Sequence, residues 1–272
     1  MSAVLHVLFL LVVLAYVAAA VLSVRALDVA RGSERALGVR MLAGAAALQL
    51  AALVVVGVWQ GQEALQGAAL ALGVFAVVLA GGFAGFASRY RVEAAGVLVA
   101  PTALVAGVLS AATSHAVPVV SGQFLWAKPL HVVTVATASG AMALAAAMAF
   151  VYLTQDARLK RKDTSFSVRS LVPLAVLERT VAMLCYTAFG FYTVAVLAGA
   201  FMLRARGLVG ADLLGRAAAG LVTWLLFGAV VGHRLLLRAR GKRAMRGVVL
   251  AFGLAMALYA AYASFAAHAV AS

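Results

Sequence analysis

An all-α, polytopic membrane bundle of eight transmembrane helices, forming a single integral-membrane domain over residues 1–272, is the fold class that this sequence predicts. Three observations predict it. Hydrophobic residues make up 66% of the chain and charged residues only 11%, whereas a soluble domain carries about 25% charged residues. The apolar residues gather into eight runs, each about as long as the 20 residues that a helix needs to cross the hydrocarbon of a bilayer. Lys and Arg fall between those runs with a strong bias to alternate connections. Lipid offers no partner to an unpaired backbone group, so the spanning segments must be helices.

The first span covers about 3–24. Its stretch "MSAVLHVLFLLVVLAYVAAAVLSVR" has no basic residue ahead of the apolar core, so it is expected to be retained rather than cleaved as a signal. The second, 41–59, closes on Trp59, and the third and fourth follow at 67–87 and 94–113. The fifth, 131–154, opens behind Lys128 and Pro129 with His131 at its mouth. The sixth, 180–203, holds the chain's one cysteine, Cys185, so no intrachain disulfide can form. The seventh and eighth lie at 217–237 and 247–269. Ala and Gly recur throughout, and such small residues let helix backbones approach closely. Short connections favour antiparallel neighbours.

Orientation follows from the basic residues. The connections after spans 1, 3, 5 and 7 hold 18 Lys and Arg, and the other side holds four: Lys128, Arg204, Arg206 and Arg216. Basic residues collect in cytoplasmic loops, so both termini are expected outside. The same rule accounts for the net charge of +14, and no basic segment is long enough to form a nucleic-acid-binding domain. The longest loop, 154–179, is then cytoplasmic and suited to membrane lipid or a soluble partner.

On this topology His6, His115, His131 and His268 fall on the outward side, and His233 lies toward the cytoplasm. Trp59, Trp126 and Trp224 map to the outer ends as well, where tryptophan is favoured in any case. A single interfacial histidine serves as a hydrogen-bonded anchor, but histidines from spans 1, 5 and 8 would converge in one bundle. A zinc site calls for cysteine, carboxylate or closely spaced histidines, and the sequence has neither HxxxH nor CxxC. Histidines on separate helices in an aromatic setting suit a flat haem. Three of the four outward basic residues share the stretch "RARGLVGADLLGR" (204–216). They would take haem propionates as charge-assisted pairs, or meet headgroups, Asp212 and Glu63. His233 has no intramembrane carboxylate beside it for a proton relay.

The stretches "LHVVTVATASGAMALAAAMAFVYL", then "PLAVLERTVAMLCYTAFGFYTVAVLAGA", then "TWLLFGAVVGHRLLLRARGKRAMRGVVLAFGLAMALYAAYASFAAH" together resemble the HemX/CcsA/CcmC cytochrome c assembly family. The shared order is a Leu-His opening a span, a Tyr-Leu closing it, a Leu-Glu leading into the next, and a terminal His. With eight spans and "LHVLFLLVVLAY" at the start, the chain looks most like the HemX-type branch. The resemblance implies a haem-binding or haem-handling protein of the bacterial cytoplasmic (inner) membrane that presents haem b at its outer face. It implies His131 and His268 as iron ligands, with His6 in support. Arg204, Arg206 and Arg216, with Trp126 and Trp224, would surround the cofactor, and His233 matches an embedded histidine of longer relatives. The family's loop before span 7 is tryptophan-rich and ends in Trp-Asp, whereas here it has Asp212 and no tryptophan. That departure favours an accessory role over a complete haem lyase, so no catalytic residue is assigned. Other cytochrome c assembly proteins or an apocytochrome are the implied partners. Two other classes stay open: a regulator or membrane subunit that holds a protein partner without cofactor, and a small-solute transporter lined by Gln49, Thr134, Thr137, Ser139 and Thr193.

Overall fold

The computed structural model describes residues 2–25, 32–60, 67–90, 92–113, 127–161, 172–206, 211–236 and 240–271. Side chains are described for all of these except 2–6, 32–35, 60, 93–94, 205–206, 211–213, 216 and 262–271. The described residues form eight helices and no strand: α1 (Ser2–Arg25), α2 (Gly32–Gln60), α3 (Ala68–Ala87), α4 (Glu93–Thr113), α5 (Ala127–Lys160), α6 (Leu174–Arg206), α7 (Ala211–Leu235) and α8 (Gly241–Ala271). Each contains a segment long and apolar enough to cross a bilayer. Such a set of helices is that of a multi-pass membrane protein.

Several helices outrun the spans read from the sequence. α5 continues to Lys160 and α6 begins at Leu174, so half of the expected loop 154–179 is helical, and residues 162–171 lie outside the described ones. A helix need not stop where the hydrocarbon stops. The 34 residues of α5 rise about 51 Å against roughly 30 Å of hydrocarbon. Its polar end is supported on the surface by a Lys160 Nζ to Asp156 hydrogen bond of 2.9 Å, the i, i+4 spacing that stabilises exposed helix.

The helices close into two rings. α1 packs on α2 and α4, and α3 on α2 and α4; α6 packs on α5 and α7, and α8 on α7 and α5. α5 joins the rings, because it also lies against α3 and, more lightly, α4. Named contacts fix the directions. The Cα of Gly107 in α4 faces Tyr16 in α1, and that of Gly96 faces Ser23, so these helices are antiparallel. Gly82 and Gly140 pair α3 with α5 in parallel, through Leu144 and Val78. Odd-numbered helices therefore run one way and even-numbered helices the other.

Burial follows from this placement. α1 shows Leu10, Leu14 and Val17 on its exposed face, and α6 shows Met183 and Leu197, as lipid-facing surfaces do. α5 is enclosed by neighbours, and every residue from Gly140 to Ala149 is buried. Its run of alanines suits a helix packed on all sides, since each small side chain lets a neighbouring backbone come near.

Candidate functional site

The alternating directions put the start of α1, α5 and α7 at one end of the bundle with the close of α6 and α8. His6, His131, Arg204, Arg206, Arg216 and His268 thus lie on helix segments at this common end, and His233 lies at the other. Trp126 and His115 are outside the described residues, as are the side chains of His6, His268, Arg206 and Arg216. α5 packs against α8, but among the described residues α1 contacts neither α5 nor α8. Among the described residues α1 thus does not join α5 and α8 in the three-helix grouping expected from the sequence. α1 belongs to the other ring, where its small and apolar face meets α2 and α4.

His131 sits one turn into α5 and is half-buried. Its Nδ1 lies 2.7 Å from the carbonyl oxygen of Ala195 in α6. A carbonyl can only accept, so Nδ1 carries the proton, and the neutral ring is left with its lone pair on Nε2. Nε2 makes no hydrogen bond among the described residues. The approach depends on the residue one turn beyond Ala195. A Cβ at Gly199 would meet His131 Cε1 at 3.2 Å and Nδ1 at 3.3 Å, so any larger residue there would press the ring back by a few tenths of an ångström. Thr134 turns its hydroxyl back to the carbonyls of Leu130, at 2.7 Å, and His131, at 3.1 Å.

Below the histidine, α6 carries a tier of aromatic contacts. Trp224 Nε1 of α7 donates to Thr193 Oγ1 at 3.0 Å, and Thr193 in turn donates to the Phe189 carbonyl at 2.8 Å. The Trp224 ring stacks on Phe189 with centroids 5.6 Å apart. The hydroxyls of Tyr192 and Tyr259 share a 2.6 Å hydrogen bond between α6 and α8, and Phe227 meets Tyr192 edge-on at 5.4 Å. Trp224 is thus fixed as a strut between α6 and α7. Arg204 is exposed, five residues beyond Gly199 and so about 7.5 Å further along α6 toward the same end.

Of the polar residues weighed as a transport lining, Thr134 and Thr193 are engaged with backbone or Trp224. Gln49 is fully buried in the other ring, and neither amide atom has a partner among the described residues. His233 is exposed at the close of α7, beside Arg234. The described residues hold no cluster of three or more metal-ligating side chains. Sequence reading missed Gly199, Ala195 and the Tyr192–Tyr259 link. A backbone acceptor has no residue signature, and the two tyrosines are 67 positions apart. Comparison with protein-family models, with curated proteins and with solved structures finds no match to the chain.

Proposed function

We propose that this protein is a haem-handling protein of the bacterial cytoplasmic membrane, of the cytochrome c assembly type and HemX-like. Both termini would lie outside and the end bearing His131 would face outward. The observation that carries this reading is the hydrogen bond from His131 Nδ1 to the Ala195 carbonyl. Metal-ligating histidines characteristically donate their other ring N–H to a carbonyl or carboxylate, which fixes the tautomer and raises ligand basicity. His131 has this arrangement with no competing partner on Nε2 among the described residues, so the donor chemistry fits iron of haem b. When bound, the haem supplies an iron centre and two propionates, and the protein's part is to hold and present it. His131 is the first ligand, oriented by Ala195 and given room by Gly199. His268 is the second by position on the packed neighbour α8, and His6, on a separate ring, is a distant support. Arg204, Arg206 and Arg216, at the same end, would pair with propionates. Trp224 acts through the wall that it braces, and Trp126 precedes the His131 helix. The natural recipients are an apocytochrome or other assembly proteins.

The test is optical. Protein purified in detergent and loaded with haemin should show the Soret band of a bis-histidine complex. The His131→Ala/His268→Ala double variant should lose that spectrum. A spectrum unchanged in the double variant would remove the ligand assignment. Wild-type protein that takes up no haem, while copurifying with a stoichiometric partner, would point to the cofactor-free regulator instead.

A further inference from the structure

At the end of the bundle opposite His131, a cleft of about 360 Å³ opens among α6, α7 and the start of α8. Three arginines, Arg179, Arg234 and Arg240, line it against one carboxylate, Glu178, and Ala182 and Tyr186 extend its wall. Positions 178, 179, 182 and 186 share one face of α6, so the lining passes from charged to apolar along a single helix. Glu178 is already engaged. Its Oε1 accepts the Gly241 N–H at 3.0 Å and lies 3.7 Å from Arg234 Nη2. Arg234 is almost wholly buried, with a side chain only 6% exposed, and its Nη1 has no hydrogen-bond partner among the described residues. Arg179 and Arg240 are exposed and have no ion pair among the described residues. Glu178 offsets one of the three arginines, which leaves a surplus of two positive charges among the described lining residues. The wall beyond is apolar and open, with Tyr186 exposed and Met183 and Leu235 exposed nearby.

We propose that this cleft binds an anionic phospholipid. The phosphodiester sits between Arg179 and Arg240 with the buried Arg234 behind it, and an acyl chain follows Ala182 and Tyr186. Guanidinium groups pair with phosphate through charge-assisted, bidentate bonds, and basic pockets between helices at a membrane surface recognise anionic headgroups. A free phosphate would use only the mouth, whereas a lipid uses the mouth and the apolar wall. The proposal rests on the membrane placement of the bundle, and neither on haem binding nor on which side faces the cytoplasm.

The full chain in a neutral detergent is titrated with phosphatidylglycerol, with phosphatidylcholine and with inorganic phosphate, following bound lipid by native mass spectrometry and thermal unfolding. Phosphatidylglycerol should bind and raise the unfolding temperature, while phosphatidylcholine should not. The Arg179→Gln/Arg240→Gln variant changes only exposed side chains and leaves the Glu178–Arg234 link intact, so it should fold. It should bind phosphatidylglycerol roughly twenty-five-fold more weakly, about fivefold for each arginine removed. Ala182→Trp keeps the charges but fills the wall, and it should weaken the lipid as well. Equal binding of both lipids, or an unchanged affinity in the arginine variant, would overturn the proposal. So would inorganic phosphate reproducing the whole effect, which would make the cleft a simple anion site. The His131→Ala/His268→Ala variant should bind phosphatidylglycerol normally, which separates failure here from failure of the haem reading.

Discussion

A carbonyl oxygen can accept a hydrogen bond but never donate one, and that asymmetry decides what His131 can offer. The Ala195 carbonyl holds the proton on Nδ1, so the free lone pair is on Nε2. The position of histidine at the mouth of a span was visible in the sequence, but its partner was not. Any residue on α6 presents a carbonyl, and only the fold selects Ala195. Gly199 carries the one local trace of the contact. Its Cβ would stand 3.2–3.3 Å from the ring, tight enough that the ring must move. Gly199→Val should therefore push the imidazole off Ala195. Loss of such an outer-shell partner typically lowers metal affinity 10–100-fold, and haemin titration of the variant should show a weakening in that range, with the helical content unchanged by circular dichroism. Wild-type haemin affinity in Gly199→Val would mean that the Ala195 bond has no bearing on the ligand.

Helices here were legible in their number and illegible at their ends. Eight apolar runs correspond to the eight helices of the described residues, because the bilayer fixes the length over which polarity must vanish. Nothing comparable fixes where a helix stops in the headgroup region, so α5 and α6 continue well past the runs that announced them. One such extension places Glu178 in the second turn of α6, where it ties three elements together. Its carboxylate caps the backbone of Gly241, its main-chain oxygen accepts from Arg234 Nη2 at 3.3 Å, and the two side chains pair. Gly241 itself has φ +67, a left-handed conformation that glycine adopts without strain. Glu178→Ala would leave the Arg234 charge buried without its carboxylate, and breaking a buried pair in this way costs about 3 kcal/mol or more. Glu178→Gln retains an acceptor for the Gly241 N–H, so it should lose less. Unfolding of the two variants in mixed micelles should rank wild type above Gln above Ala. Equal stability of all three would show that the α6–α7–α8 junction is held by packing alone.

At the scale of the molecule, the pairing of helices decides which polar ends share a neighbourhood, and sequence said little about it. The apolar surfaces of most helices are nearly uniform around their circumference, so each could have packed against several others. The common end of His6, His131 and His268 followed from counting spans, but the separation of α1 from α5 and α8 required the two-ring arrangement. α5 makes that arrangement by serving both rings, and small residues are what allow it. Glycine substitutions test the role of α5, because glycine also weakens a helix wherever it occurs. Replacing a helical glycine by alanine removes excess backbone freedom and should stabilise by roughly 0.5–1 kcal/mol if the new methyl meets nothing. Gly190 in α6 is exposed and has no atom within 4 Å of its would-be Cβ, so Gly190→Ala should gain about that much. Gly140 lies on the α3–α5 seam, where a Cβ would meet Val78 Cβ and Cγ1 at 3.0 Å and the Phe75 carbonyl oxygen at 3.2 Å. Val78 is branched at the point of contact and Phe75 offers backbone, so neither can swing aside. Gly140→Ala should then lose the propensity gain and destabilise by about 1–3 kcal/mol, the range for overpacking a filled interface. Opposite signs for the two substitutions, measured by thermal unfolding of the full chain in the same detergent, would place the joint between the rings at α3 and α5. Equal gains at both positions would mean that α5 is not clasped by α3, and that the rings are joined elsewhere.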